Sequence, residues 1–274
     1  MAEVLHFPAE DAAKLEAYLP PRHSSLTTSE SSQRPFVTLT FATSLDSSLA
    51  LAPGVRTALS GPQSKAMTHY LRSRHDAILV GVGTAVADDP GLNCRIAGDE
   101  SGTTVSSHQP RPIVIDPQDR WALTHDSRVL ATQRRGFGLA PFIVTAVREP
   151  DEVKRQLLES HGGKYIILAA NGDDGSTRFS WADVLASIAS NGLQSVMIEG
   201  GGSIINTLLA PQNSHLVDSV IVTIAPTWLG RGGVVVSPDR VYDTNHQATA
   251  AARLSDVKWQ PLGDDVVLCG RLHS

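Results

Sequence analysis

The chain has 274 residues, 41% of them hydrophobic and 19% charged, with a net charge of −5. That is apolar material for one large core, an acidic balance with no footprint for nucleic acid, and no apolar run near the roughly 20 residues a bilayer span needs. Cys94 and Cys269 offer neither a disulfide framework nor metal-ligand spacing, and the early acids Glu3, Glu10, Asp11 and Glu16 fit no secretory or transit signal, so a soluble protein in a reducing, cytoplasmic setting is expected.

Residues 1–34 read as an N-terminal extension: a short helical stretch around Ala9 to Tyr18, then Pro20-Pro21, then a Ser/Thr-rich run from Ser24 to Ser32. Over residues 35–274 short β-rich runs alternate with amphipathic helical stretches, the pattern of a largely parallel sheet flanked by helices. The expected strands are Phe36–Phe41, Ala77–Val82, Pro112–Ile115, Phe142–Val147, Tyr165–Ala170, Ser195–Ile198, Ser219–Ala225 and Val266–Cys269. Their centres are nearly all apolar, as strands covered on both faces should be. Ser60, followed by Pro62 and Gln63, predicts a capping box opening a helix over Pro62–Ser73. Further helices are expected at Asp151–His161 before Gly162-Gly163, and at Trp181–Ser190 between Ser180 and Asn191-Gly192. A last one starts in Gly200-Gly201-Gly202-Ser203 and stops at Pro211, with Ile204, Ile205, Leu208 and Leu209 inward.

Two glycine turns carry the chemistry. In Met197-Ile198-Glu199-Gly200-Gly201-Gly202-Ser203 a buried strand ends in an acid, three glycines and a helix start, where free amides without a Cβ in the way make a pyrophosphate cradle; the same glycines would also let a helix pack tightly on the sheet, and the sequence leaves both roles open. The second turn, Val80-Gly81-Val82-Gly83-Thr84 running on to Asp88-Asp89-Pro90, leaves another strand at its carboxyl end, where open α/β sheets collect ligands. Neither turn completes Gly-x-Gly-x-x-Gly, which argues against a standard dinucleotide-binding domain. Arg72 and Arg95 offer planar forks that match phosphate oxygens, though each alone also suits a solvated surface charge. No His-Glu-x-x-His and no Gly-x-Ser-x-Gly is present, so an organic cofactor is the expected carrier of the chemistry.

Ordered blocks join these pieces: Thr43-Ser44-Leu45-Asp46, Leu71-Arg72-Ser73-Arg74-His75-Asp76, Asp88-Asp89-Pro90-Gly91-Leu92-Asn93-Cys94-Arg95, Arg111-Pro112-Ile113-Val114-Ile115-Asp116, Glu199-Gly200-Gly201-Gly202 and Val217-Asp218-Ser219. Through them the sequence resembles the riboflavin-biosynthesis reductases that act on diaminopyrimidine ribosyl phosphates. That resemblance implies a dihydrofolate-reductase-like α/β fold, a homodimer, a phosphorylated pyrimidine substrate and NADPH, with NADH as the alternative. It also implies cofactor contacts from Thr84, Asp88, Gly200, Gly201, Gly202, Ser203 and Ile204, substrate contacts from Ser60, Arg72, Leu92, Arg95 and Glu199, and Glu199 as the residue closest to the chemistry. Asp46 and Asp88 are further candidates for handling a proton. Ser219–Ala225 and Val234-Val235-Val236 are candidate dimer surfaces. The zinc signature of the deaminases is missing from the sequence, so reduction alone is expected.

Overall fold

The strands form one mixed sheet because most of them are apolar on both faces and can be buried only under helices on each side. In the structure, a computed structural model that describes residues 3–21, 34–98, 105–170 and 178–272, this sheet has nine strands. In chain order they are β1 (Phe36–Thr43), β3 (Ala77–Gly81), β4 (Arg111–Ile115), β5 (Phe142–Thr145), β6 (Lys164–Ile167), β7 (Ser195–Ile198), β8 (Ser219–Ile224), β12 (Leu254–Leu262) and β13 (Asp265–Leu272); the short pairs β2 (Ser48–Ala50) with β9 (Val234–Val235) and β10 (Val241–Tyr242) with β11 (Ala248–Thr249) lie outside it. The spatial order is β12-β13-β8-β1-β7-β3-β4-β5-β6. Every pairing from β8 to β6 is parallel, and only the β12–β13 and β13–β8 pairings run antiparallel.

Alternate side chains enter opposite layers, as the period of two requires. Val37 and Leu39 of β1, Leu79 of β3 and Val196 and Ile198 of β7 pack with Leu185 and Ile188 of α6 (Trp181–Ser190) and with Ile205 and Leu208 of α7 (Gly202–Leu209). On the opposite face Ile78, Val80, Val114 and Ile143 meet Leu130 of α4 (Arg128–Arg134) and Leu158 of α5 (Glu152–Ser160). Met197 and Ile221 meet Met67 and Leu71 of α2 (Pro62–Ser73) on that same face. The caps follow the sequence signals: the Asp151 carboxylate accepts from Lys154 N at 2.9 Å, Ser180 Oγ accepts from Asp183 N at 3.4 Å, and Gly162 and Gly192 take positive φ of 79° and 76° just past the helix ends.

Three expectations need correction, and one strand lay outside them. Val82 is not the end of a strand; β3 stops at Gly81 and the chain turns at once into α3 (Val82–Asp88), keeping Val82 buried as the first helical residue. The capping box at Ser60 does not form, because Gly61 is the N-cap of α2 with no side-chain cap, and its N–H donates instead to Asp265 Oδ2 at 2.8 Å. Ser219–Ala225 is no outer surface, since β8 is hydrogen-bonded on both edges, to β1 and to β13, and is buried over Ser219–Thr223. The edge strand β12 had no counterpart in the reading, being polar and exposed over much of its length.

The N-terminal segment packs on this body. Helix α1 (Ala9–Leu15) and the turn over Glu16–Tyr18 bury Leu15, Tyr18 and Leu19 against Met67, Leu71, Ile221 and Val267. Ahead of them Leu5 is stitched to the 95–97 segment, its N–H donating to Arg95 O at 2.9 Å and its carbonyl accepting from Ala97 N at 2.8 Å. The Ser24–Ser32 run lies outside the described residues. No helix among the described residues is long and apolar enough to cross a membrane.

Candidate active site

β7 and β3 lie side by side and parallel, so both glycine turns leave the sheet at the same edge. Beyond that edge is an open cleft of about 610 Å³, lined by Gly83, Thr84 and Asp88 from α3, by Glu199 to Ile204 from the second turn, by Ser60 and Thr68 near α2, and by the loop from Ala52 to Thr57. The turns meet closely: a Cβ on Gly201 would lie 3.5 Å from Thr84 Oγ1.

The glycines of the second turn divide the two roles the sequence left open. A Cβ on Gly200 would fall 2.6 Å from the Ile204 Cβ, and one on Gly202 would fall 2.6 Å from the Val234 Cγ1, so these two are required by packing. A Cβ on Gly201 meets only Thr84, and one on Gly83 meets nothing within 4 Å. These two leave backbone open to the cleft, as close approach of a phosphate demands. Ile204 is mainly a spacer, reaching to within 3.1 Å of where a Gly81 Cβ would stand.

Glu199 follows the last residue of β7, and its carboxylate is held from behind. Arg72, in the last turn of α2, donates Nε to Oε1 at 2.8 Å and Nη2 to Oε2 at 2.7 Å, while its Nη1 donates to Asn93 O at 3.1 Å. The two side chains are 15% and 18% exposed. Burial works against the Arg72 charge, but the adjoining carboxylate more than offsets it and raises the guanidinium pKa. Arg72 itself does not line the cleft.

Arg95 lies against His69 of α2. Its backbone N–H donates to His69 Nδ1 at 3.1 Å and its Nη2 lies 3.1 Å from His69 Nε2. Burial first, then Arg72 and Arg95, push the His69 pKa down to about 2, so the ring is neutral. Leu92 adopts a positive φ of 47° and is buried in the layer with Val80 and Ala85. Neither Arg95 nor Leu92 lines the cleft, whereas Ser60, Thr84, Asp88, Glu199, Gly200, Gly201, Gly202, Ser203 and Ile204 all do.

Neighbouring acids have structural duties. Asp46 accepts from Ser44 Oγ, from Leu229 N at 3.1 Å and from Gly230 N at 2.7 Å; the Ser44 hydrogen bond first, then those amides, lower its pKa, which suits a loop tie and not a proton handler. Asp89, at φ 38°, accepts the Arg128 N–H at 3.0 Å and so supports the start of α4. The reading of the sequence missed Arg56, which lines the cleft. The signal for it was Pro53-Gly54, a tight-turn dipeptide just ahead of it.

The chain has relatives among known proteins. The model of the RibD C-terminal domain family matches residues 35–268. A protein of Debaryomyces hansenii is 41% identical over 261 residues, covering 94% of each chain, and one of Eremothecium gossypii is 41% identical over 268 residues, covering 96% of this chain and 97% of its own. Both are named 2,5-diamino-6-ribosylamino-4(3H)-pyrimidinone 5′-phosphate reductase. Among solved structures, the riboflavin biosynthesis reductase Rib7 of Saccharomyces cerevisiae superposes with a TM-score of 0.73 at 33% identity, covering 96% of this chain and all of that one.

Proposed function

The chain belongs to the RibD C-terminal domain family, with the dihydrofolate-reductase-like fold of its structural relatives, and on that premise we propose that it reduces 2,5-diamino-6-ribosylamino-4(3H)-pyrimidinone 5′-phosphate at its ribosyl carbon to give the ribitylamino compound. It is thus an oxidoreductase of riboflavin biosynthesis. The observation that carries the site assignment is the convergence of Thr84 and Gly201 on one cleft with Glu199 beside them.

The open backbone at Gly201 and Gly83 is a cradle that a side chain would fill, so these residues fit a nicotinamide dinucleotide, with Thr84, Asp88 and Ser203 around it. A reduced nicotinamide bound there would supply a hydride to C1′ of the ring-opened, imine form of the ribosylamine, with the nitrogen taking its proton from water. The chain's own part is placement. Each Glu199 oxygen accepts one hydrogen bond from Arg72 and keeps a lone pair for the cleft, where it orients donors of the pyrimidine or of the sugar hydroxyls. Arg72 acts on the substrate through Glu199 and is a positioning residue. Ser60 and Thr68 complete the polar wall on the α2 side.

NADPH is the preferred donor in this reading, the protein is cytoplasmic, and it works as a homodimer. Support for the dimer comes from the sheet-edge strand β12, which is polar over much of its length yet leaves two apolar side chains, Trp259 and Val257, 61% and 42% exposed. Sedimentation velocity tests this, with a monomer at micromolar concentration as the contrary result. For the reaction, purified protein is incubated with NADPH and the ribosylaminopyrimidine phosphate, and the product is analysed by mass spectrometry. A gain of two hydrogens, with NADPH consumed only when the pyrimidine is present, is the expected outcome; saturable NADPH binding without a ribityl product overturns it.

A further inference from the structure

We propose that Arg56 is the phosphate clamp of the cleft, the residue that meets the phosphomonoester of a bound ligand. The inference rests on the reductase reading and adds a specificity-determining residue to it.

The argument starts from charge. The ionisable side chains lining the cleft are Asp88, Glu199 and Arg56, so Arg56 is the one cation among the described lining residues. A phosphomonoester entering between two carboxylates is repelled unless a positive group answers it. Of the other arginines nearby, Arg72 spends its fork on Glu199 and Asn93 O, and Arg95 does not line the cleft. Arg56, by contrast, has no hydrogen bond or ion pair to any described residue. Its five donors stay available for oxygens of a phosphate, the group that the guanidinium plane matches bidentately.

The loop that carries it is built to hold a position. Ala52-Pro53-Gly54-Val55 closes as a turn, with Val55 N donating to Ala52 O at 3.2 Å and Gly54 at a φ of 76°, the proline and glycine standing where such a turn wants them. Leu51 N donates to Thr57 Oγ1 at 3.1 Å and cinches the base of the loop. The preceding strand β2 is paired with β9, whose Val234 packs on Gly202, so the loop is tied through β2 and β9 to the same glycine turn that borders the cleft. Arg56 therefore sits on the cleft margin from an anchored frame and not at the end of a slack segment.

Two ligands of the proposed reaction carry a phosphomonoester, the substrate at its 5′ position and NADPH at its 2′ position. The test separates them with Arg56→Ala and Arg56→Lys, each first shown to melt within a few degrees of the unaltered protein. Steady-state KM is measured for the phosphorylated substrate and for its dephosphorylated riboside, and NADPH and NADH binding is followed by fluorescence titration without substrate. If Arg56 meets the substrate, Arg56→Ala raises KM for the phosphorylated substrate about tenfold or more, leaves the riboside unchanged, and Arg56→Lys recovers part of the loss, since it keeps the charge but not the planar fork. If it meets the cofactor, the loss appears in NADPH binding and not in NADH binding. Either pattern supports the clamp. Unchanged KM for the phosphorylated substrate together with an unchanged NADPH-to-NADH preference overturns it, while an unaltered protein that makes no ribityl product refutes the reductase reading instead.

Discussion

Arg72 and Glu199, 127 residues apart in the chain, face each other as a two-pronged pair with nitrogen–oxygen distances of 2.8 and 2.7 Å. Because both side chains are largely out of water, breaking the pair leaves a charge with poor solvation, which costs more than the pair gains over an apolar replacement. Glu199→Gln and Arg72→Met should each lower stability by about 1–3 kcal/mol, and the double variant should lose less than the sum. Urea unfolding of the four proteins measures the coupling, and strict additivity would show that the contact carries no energy. In turnover, Glu199→Gln should reduce kcat/KM by roughly 10- to 100-fold through loss of a charged acceptor. Arg72→Lys, which keeps the charge but not the fork, should fall between the unaltered protein and Arg72→Met.

Gly200 and Gly201 are adjacent yet should respond in opposite ways to a methyl group. Gly200→Ala drives a Cβ to 2.6 Å from Ile204, and such overpacking costs about 1–3 kcal/mol. Gly201→Ala meets only Thr84 Oγ1 at an ordinary 3.5 Å, so the melting temperature should hold while dinucleotide affinity falls. Thermal melts and NADPH titration on both variants check this; a Gly201→Ala protein with undiminished affinity would move the cradle elsewhere.

The buried histidines set a pH limit. Burial holds the His75 ring neutral, and because Nδ1 lies 2.7 Å from Leu71 O, which can only accept, Nε2 accepts from Thr38 Oγ1 at 2.8 Å. Burial first, then the charge of Arg74, holds its pKa down to about 4, against about 2 for His69. In the unfolded chain both return to the ordinary value near 6.5, so below that pH the unfolded state binds protons the folded state refuses. Stability should be level above about pH 6.5 and fall as pH drops from 6.5 to 4, approaching ~1.4 kcal/mol per pH unit for each histidine. Denaturant midpoints at pH 7, 6 and 5 measure it. A flat profile would mean that water or a carboxylate reaches these rings.

Much of the fold was legible because strands covered on both faces are mostly apolar, as β1, β3, β4, β5, β7 and β8 are, with buried Thr38, Thr40 and Thr223 as exceptions. Helix α3 escaped because it starts directly out of β3, with no polar cap to separate Val80 from Val82. β12 escaped because an edge strand has water on one side, and its exposed Asp256, Lys258 and Pro261 blur the period of two. At the site, the two glycine turns could be read locally, as each is a strand end followed by a helix start. The engagement of Arg72 by Glu199 could not, since it depends on the end of α2 approaching the end of β7, a relation that no spacing along the chain contains.

Leu5→Pro should test the stitch at the N-terminal segment, because it removes the N–H that donates to Arg95 O. The expected cost is about 1 kcal/mol, with faster amide exchange at Arg95 to Ala97 by hydrogen–deuterium exchange. Unaltered exchange there would make the stitch dispensable.

That same segment has a consequence for biogenesis. Tyr18 donates its hydroxyl proton to the carbonyl of Asp256, which emerges from the ribosome 238 residues later, and Leu15 and Leu19 nest beside Val267. A nascent polypeptide must therefore carry this segment with only Met67 and Leu71 of its native shelter for most of translation, which makes it a natural handle for holdase chaperones and a place where slowed elongation would favour aggregation.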